Sequence, residues 1–510
     1  MRREEPEEGV VRKKFRRGMV RVALLYPSTY EVAHSSLVYH RLYFALNDMD
    51  NVYLERATLR SSTGAPEAVR GLEGGTPLRS FDFIVTPIHY ELDYANLLRA
   101  LIGSGVQVLS KERGNPKIIV GGPAPTANPE PIADAVDAII MGDLEPSVRW
   151  LESVLNQGAP IEPSEHVYVP AFGKHEVRIG NSPTLGAGDL RRIKAPGSAF
   201  TIAVEVARGC PFSCAFCLEG HVTKPFRPRP ASEVIDEVVN LYRTYGLRVA
   251  LIAPTANASP YFKDVLRGLA QVGVPFSTPS LRAELLDDES IDLIARGGQQ
   301  TLTLAPETSE RLRLAVGKLS RDEDFERASR AAASKGLALK LYGLVAVPGE
   351  TDNDIRSFAE LTRRIADSRP RSLELSVNPL VVKPHTPFQW LPMQPEDELN
   401  ARVRTARQLY VYDRFSFYDP FDALVQASLS LGDRKTLTYI AEVARDGVGR
   451  GSWRRAASKG LLRAALKPRR SPLPWSHVRG PVGEEALMER LRAYVEQVPE
   501  ARRLIPKGLM

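Results

Sequence analysis

Two successive runs of alternating strand-like and helix-like segments constrain the fold of this chain more than any other feature of its sequence. In the first run, apolar segments such as Arg21–Tyr26, Phe81–Pro87 and Lys117–Val120 alternate with helical patterns, beginning with Ser35–Leu46. Strands that alternate with helices are typical of a parallel sheet covered on both faces. We therefore predict a doubly wound α/β domain over residues 19–155.

The second run follows residues 156–198, a Pro- and Gly-rich linker in which we predict a small hairpin. It contains six strand-like segments separated by helical stretches, which predicts a partial (βα)6 barrel over residues 199–396. The strand-like segments are Phe200–Val206, Val249–Ala253, Phe276–Ser280, Thr301–Ala305, Ala338–Val347 and Ser372–Val377.

The two ends of the chain differ from these runs in charge. Residues 1–18 form a charged arm that we expect to be frayed, and residues 397–510 are predicted to be mostly helical and basic. The net charge of the whole chain is +7, yet residues 401–510 contain 21 lysines and arginines against 11 aspartates and glutamates. Such a basic region indicates an anionic partner, RNA first among them. An arginine-rich, solvated surface explains the charge equally well.

Apolar segments and cysteines limit the cellular setting. No apolar stretch is long enough to cross a bilayer, and no apolar segment follows the charged start as it would in a secretory signal. We therefore expect a cytoplasmic protein without a membrane span. Three cysteines in 510 residues exclude a disulfide scaffold.

All three cysteines lie within eight residues, as Cys210, Cys214 and Cys217. They follow the first strand of the predicted barrel, and loops after barrel strands line the active-site face. Three thiolates suit a [4Fe–4S] cluster in which one iron has no protein ligand. Zinc is the alternative, because His221 completes a Cys3His set.

This Cys-x3-Cys-x2-Cys segment resembles the cluster-binding motif of the radical S-adenosylmethionine (SAM) superfamily. The resemblance implies that the open iron binds SAM, and that one-electron reduction cleaves SAM to methionine and a 5′-deoxyadenosyl radical. It also implies that Phe216 packs against the adenine. The electron would come from an external reductant such as ferredoxin or flavodoxin.

Residues at other strand ends extend this resemblance to the SAM-binding face. Arg282 or Lys340 would pair with the SAM carboxylate, and Glu307 would hold the ribose hydroxyls or the amino group. The backbone around Val345 would contact the adenine. A helix cap or a surface ion pair explains any one of these residues equally well.

The stretch that contains Gly121, Gly122 and Gly142 resembles the second half of a Rossmann-like, cobalamin-binding domain. Such glycines lie at the carboxyl ends of adjacent strands and let the backbone approach a flat macrocycle. The Asp-x-His-x-x-Gly element of other B12 proteins is absent, and His34 and His89 have different surroundings. We therefore expect the lower axial position of a bound cobalamin to be empty or filled by water. A domain that keeps this architecture without cobalamin is the alternative.

Together, residues 20–460 resemble B12-binding-domain radical SAM proteins of unsettled activity. The resemblance implies an enzyme that activates C–H bonds, with cobalamin-dependent methylation of RNA, a lipid or a cofactor precursor as an extension. Sulfur insertion is disfavoured, because it usually needs a second cluster and no further cysteines exist to bind one. An alternative from another class is a non-catalytic iron–sulfur or zinc protein that binds RNA through its basic region.

Overall fold

The computed structural model describes residues 7–186, 188–194 and 201–509, so residues 1–6 of the arm, residues 187 and 195–198 of the linker, residues 199–200 at the start of the predicted barrel and residue 510 lie outside it. The first part of the chain forms a sheet with helices on both faces. Its strands are β1 (Val20–Thr29), β2 (Val52–Leu59), β3 (Phe83–Pro87), β4 (Lys117–Gly121), β5 (Ala138–Ile140) and β6 (Val167–Tyr168). Its helices are α1 (Tyr30–Ser35), α2 (Leu37–Asn47), α3 (Asp93–Gly103), α4 (Pro123–Ala127) and α5 (Val148–Gln157).

The strand order of this sheet is β2-β1-β3-β4-β5-β6, and all but β6 run parallel. The order reverses between β1 and β3. At such a reversal, neighbouring strands continue into connections that leave in opposite directions, which opens a crevice at their carboxyl ends. The predicted doubly wound fold is thereby confirmed.

The second part of the chain forms the predicted partial barrel. The linker before it contains β7 (Val177–Arg178). The strands that follow are β8 (Ile202–Glu205), β9 (Ala207–Arg208), β10 (Arg227–Pro228), β11 (Val249–Ile252), β12 (Phe276–Ser277), β13 (Thr301–Glu307), β14 (Ala338–Val345), β15 (Leu373–Pro379) and β16 (Arg414–Phe417). Of these, β9 and β10 form a short antiparallel pair. Its helices are α6 (Glu219–Val222), α7 (Ala231–Tyr245), α8 (Phe262–Gln271), α9 (Asp288–Arg296), α10 (Glu310–Ala315), α11 (Asp322–Ser334), α12 (Asp352–Asp367) and α13 (Glu396–Leu409).

The parallel order of the barrel is β8-β11-β12 on one side and β13-β14-β15-β16 on the other. A parallel bridge between Leu281 and Leu304 joins the two groups of strands. Within the described residues the barrel therefore has a seventh parallel strand, β16, beyond the six predicted. β16 is largely exposed, so it lacks the buried apolar pattern by which the other strands are recognised.

The C-terminal part is mostly helical, as predicted, and packs against both preceding parts. It comprises α14 (Pro420–Ser430), α15 (Thr436–Asp446), α16 (Arg450–Ser458), α17 (Arg463–Leu466), β17 (Val478–Arg479) and α18 (Glu484–Gln497). Phe421 and Ile440 belong to the core of the N-terminal sheet. Tyr494 of α18 donates a hydrogen bond to the carbonyl of Pro348 in the barrel, at 2.6 Å. No helix among the described residues is long and apolar enough to span a membrane.

Two predictions about the connecting segments are wrong. Among its described residues, the linker does not form its own hairpin: β6 extends the N-terminal sheet by pairing with β5, whereas β7 pairs with β17. The described part of the charged arm is not frayed. The carboxylate of Glu7 accepts hydrogen bonds from the buried Arg56, and the backbone N–H of Val11 donates to the Tyr43 hydroxyl at 2.8 Å.

Candidate active site

The three cysteines lie in the loop that follows β9, at the carboxyl end of the first barrel strand. Cys210 and Cys214 are 7% and 8% exposed, and Cys217 is half-buried. The Cys210 thiol lies 3.4 Å from the hydroxyl of Thr255, which follows β11. Burial raises the pKa of the Cys217 thiol to about 12. A thiolate in this loop therefore needs a positive partner such as cluster iron.

His221 does not act as a fourth ligand beside the cysteines. Its Nδ1–H donates to the carbonyl of Cys217 at 2.8 Å, and its Nε2 lies 3.5 Å from Nη1 of Arg490. Burial lowers the pKa of His221 to about 4, so the ring is neutral. Since both nitrogens are engaged, the zinc alternative loses the residue on which it depended.

Arg282 lies beside the cysteine loop, as its strand-end position predicted. Its guanidinium stacks on Phe212 at 3.7 Å from the ring centroid and donates through Nε to Glu284 at 2.5 Å. Its Nη2 is buried and has no hydrogen-bond acceptor among the described residues. The charges of Lys318 and Arg282 act on the Cys214 thiol, although burial prevails and raises its pKa. A buried guanidinium with a free N–H fits a ligand carboxylate near the cluster.

Glu307 and Ala346 have left-handed backbone conformations at the carboxyl ends of neighbouring strands. Their φ angles are 64° and 62°, values that residues other than glycine rarely adopt. The Glu307 carboxylate accepts from Lys318 Nζ at 2.8 Å, and the Ala346 N–H donates to Glu350 Oε2 at 2.9 Å. Strained residues of this kind concentrate at ligand sites. This side of the barrel mouth therefore has the features of a binding surface.

Two of the predicted SAM contacts are placed differently by the structure. Lys340 lies near the amino end of β14, where its Nζ pairs with Glu374 at 2.8 Å, so it does not reach the cysteine loop. Val345 is fully buried, and its carbonyl accepts from the Leu380 N–H at 2.9 Å. Alternate residues of a strand point to opposite faces, and Val345 falls on the face covered by helices. The apolar cluster that includes Phe216 instead contains Leu344 and Ala346, the neighbours of Val345.

The glycines of the N-terminal sheet are explained by contacts within the chain. Gly122 has a φ of +106°, and a Cβ there would lie 2.5 Å from the carbonyl oxygen of Ile88. Gly142 has a φ of +92°, and its Cβ would lie 2.2 Å from the carbonyl oxygen of Gly180. Gly121 is different, since a Cβ would be 3.7 Å from Ile140, an ordinary contact. Packing alone thus accounts for Gly122 and Gly142, which therefore do not by themselves indicate a macrocycle.

The cysteine loop faces the carboxyl edge of the N-terminal sheet. Val222, in the short helix after Cys217, belongs to the core of that sheet. Asp143, which follows β5, accepts from Arg227 at 2.5 Å and pairs with Arg208 at 3.3 Å. A cofactor on the edge of the sheet and a cluster in the loop would therefore be neighbours.

Thr255 and Lys318 were not predicted from the sequence, although both lie beside the cysteines. Thr255 follows a strand end, which is the only signal that could have marked it. Lys318 lies after the short helix α10, outside any strand end. Only the three-dimensional arrangement places it near the cluster loop.

Comparison with known protein families gives two matches that divide the chain at the same place as its architecture. The family described as "Radical SAM proteins, N-terminal" matches residues 38–166, and "Radical SAM superfamily" matches residues 204–362. An uncharacterized protein of Methanocaldococcus jannaschii is 31% identical over 72% of this chain and 79% of its own length. The tRNA-2-methylthio-N(6)-dimethylallyladenosine synthase of Sorangium cellulosum is 25% identical over 46% of this chain and 50% of its own length.

Among solved structures, the radical S-adenosylmethionine methyltransferase TsrM from Kitasatospora setae has a similar fold. Its structure, with cobalamin and a [4Fe–4S] cluster bound, aligns with a TM-score of 0.58 over 87% of this chain and all of that one. Sequence identity is 14%, so the likeness concerns the fold. Both the sheet and the barrel are included in the aligned portion.

Proposed function

The chain belongs to the radical SAM superfamily, and we propose that it activates an unreactive C–H bond of its substrate through a radical generated from SAM. A [4Fe–4S] cluster on Cys210, Cys214 and Cys217 would supply the electron that cleaves SAM to methionine and the 5′-deoxyadenosyl radical. The observation that carries this proposal is that, in the part of the chain that the structure describes, no fourth protein ligand lies beside the three cysteines, since His221 donates to the Cys217 carbonyl. The iron left open is the position that SAM requires.

We propose that the chain's own residues orient SAM around that iron. The free N–H of Arg282 would hold the SAM carboxylate, and Glu307 the ribose hydroxyls or the amino group. Phe216 and Leu344 would pack against the adenine. Burial of this surface would exclude water from the radical.

We further propose that cobalamin binds at the carboxyl edge of the N-terminal sheet. The crevice at the strand reversal and the proximity of this edge to the cysteine loop support it, and Gly121 has room for close approach. Bound cobalamin would carry the methyl group for transfer to the substrate carbon. The proposed activity is then methylation of an unactivated carbon.

The proposed substrate is an RNA, a lipid or a cofactor precursor, and the proposed electron donor is a ferredoxin or flavodoxin. The basic C-terminal region supports RNA less than its charge suggests, because many of its arginines are already paired with carboxylates. Examples are Arg434 with Glu130 at 2.9 Å and Arg454 with Glu396 at 2.6 Å. Salt-sensitive retention of bulk tRNA would favour RNA, and no retention at low salt would count against it.

Anaerobic reconstitution with iron, sulfide and hydroxocobalamin tests the two cofactor proposals separately. After desalting, we expect a corrinoid absorbance stoichiometric with protein. After reduction with SAM, we expect 5′-deoxyadenosine. Loss of all corrinoid would overturn the cobalamin proposal, whereas absence of the nucleoside from cluster-loaded protein would overturn radical generation.

A further inference from the structure

His89 lies at the reversal of strand order in the N-terminal sheet, two residues after the end of β3. The preceding residue, Ile88, is fully buried and its N–H donates to the carbonyl of Gly121 at 2.8 Å. His89 itself is exposed. Because its ring also contacts Tyr26 of β1, the side chain lies where β1 and β3 diverge, which is where sheets of this type bind their ligands.

Tyr26, near the carboxyl end of β1, orients the imidazole from the other side of the crevice. The two rings stack at a centroid distance of 6.0 Å with an interplanar angle of 26°, and Tyr26 Oη lies 3.5 Å from His89 Nδ1. When Nδ1–H donates to this hydroxyl, Nε2 keeps its lone pair. Histidines that bind metals usually donate their other N–H in this way.

The backbone on the far side of His89 is fixed to the rest of the molecule. The Tyr90 hydroxyl bonds to that of Tyr418, at the carboxyl end of β16. The buried Glu91 pairs with Lys383 and accepts from Gln426 of α14 at 2.9 Å. A ligand held from both sides in this manner is preorganised rather than mobile.

We propose that His89 Nε2 is the protein's axial ligand to the cobalt of a corrinoid bound in this crevice. The inference rests on the proposed binding of cobalamin and assigns the axial position that the sequence led us to expect empty or water-filled. The second histidine considered there, His34, is excluded by its position. It is buried against Tyr30 and His40, at ring-centroid distances of 5.5 Å and 4.8 Å.

The test is electron paramagnetic resonance of the full-length protein loaded with hydroxocobalamin and reduced to the Co(II) state. An axial nitrogen splits each cobalt line into three, and ¹⁵N at that atom reduces the splitting to two. We expect each cobalt line to be split into three in the unlabelled protein and into two in protein labelled with ¹⁵N-histidine. Because the labelled protein has its natural sequence, this result does not depend on how any variant folds.

Variants locate the ligand among the histidines. His89→Ala should lose the nitrogen splitting, whereas His166→Ala, which alters a histidine bonded to the Arg178 carbonyl, should keep it. Tyr26→Phe should keep the splitting and weaken corrinoid binding about tenfold, as expected for loss of a ligand's hydrogen-bond partner.

If each cobalt line remains split into three after ¹⁵N-histidine labelling, the nitrogen belongs to cobalamin's own base. That result would overturn the proposal. Bound corrinoid without nitrogen splitting in the wild type would also overturn it, while leaving cobalamin binding intact. Protein that retains no corrinoid at all would overturn both, and that outcome is recognised before the spectrum is recorded.

Discussion

The barrel mouth and the carboxyl edge of the N-terminal sheet are both built from the ends of parallel strands. The residues that the sequence analysis singled out have different roles in the two places. At the barrel mouth, the residues singled out in the sequence lie together in the structure: the cysteines share one loop, and the buried Nη2 of the neighbouring Arg282 has no acceptor within residues 7–186, 188–194 and 201–509. At the sheet edge, the conspicuous Gly122 and Gly142 are needed for contacts within the chain.

The comparison teaches that the same sequence signal can have two physical origins. A cysteine triplet has few structural uses, so its spacing indicates chemistry directly. A glycine turn has many uses, and close backbone packing is the commonest. On the sheet, the residues that we propose to take part in chemistry are therefore His89 and Tyr26 and not these glycines.

The largest expected effect is at the cysteines, through Cys214→Ala. Loss of one thiolate removes a cluster ligand, so we expect iron content to fall and 5′-deoxyadenosine to drop to the level of a no-protein blank. Iron assay and nucleoside chromatography measure the two quantities. Ser213→Ala is the matched control in the same loop and should retain both. Full activity of Cys214→Ala would contradict the assignment.

Arg282→Gln should weaken SAM binding without loss of the cluster. A charged hydrogen bond of the proposed kind contributes about 1.5–3 kcal/mol, which corresponds to a KM for SAM raised about 10- to 150-fold. Arg267→Gln removes an exposed ion pair with Glu289 and serves as the control. An unchanged KM for SAM in Arg282→Gln would show that this arginine only supports the loop.

Gly122→Ala tests whether packing explains the glycines of the sheet edge. The unfavourable φ and the contact with the Ile88 carbonyl should destabilise the fold by about 2 kcal/mol or more. Gly121→Ala should change stability by less than about 0.5 kcal/mol, since its Cβ meets only ordinary contacts. Thermal unfolding without cofactors compares the two. Equal losses of stability would break the distinction between these neighbouring residues.

The smallest expected effect concerns Glu350, the buried carboxyl that accepts from Ala346. Burial raises its pKa to about 8 from an ordinary value of 4.5, so the folded protein binds a proton that the unfolded chain releases. Its contribution to stability is therefore full below about pH 4.5 and is lost as pH rises through about 8. Glu350→Gln should flatten the decline of Tm over this range. The exposed control Glu485→Gln should leave the decline unchanged, and parallel curves for wild type and Glu350→Gln would contradict the assignment.

The sequence predicted the parts of the fold that have strong periodicity. Helices α7 and α12 lie in two of the helical stretches predicted between barrel strands, because each has a long amphipathic pattern. The sequence did not predict how β6 and β16 pair. β6 has only two residues and β16 is largely exposed, and both depend on partners distant in the chain. Short strands at sheet edges carry little burial pattern of their own.

The candidate site divides in the same way. The placement of the cysteines in one loop and of Arg282 beside that loop could be predicted, since motif spacing and strand ends indicate both positions. Lys340 could not be rejected from sequence, because its ion pair with Glu374 arises from the register of β14 and β15. Lys318 and His89 gain significance only from neighbours that folding brings to them.

The central claim is that three cysteines hold a cluster with one iron open to SAM, and the reduced cluster reports on this directly. We expect the electron paramagnetic resonance spectrum of the reconstituted, reduced protein to change when SAM is added. We also expect methionine and 5′-deoxyadenosine to form in equal amounts. A cluster-loaded protein whose spectrum is unchanged by SAM, and which yields neither product, would contradict the account.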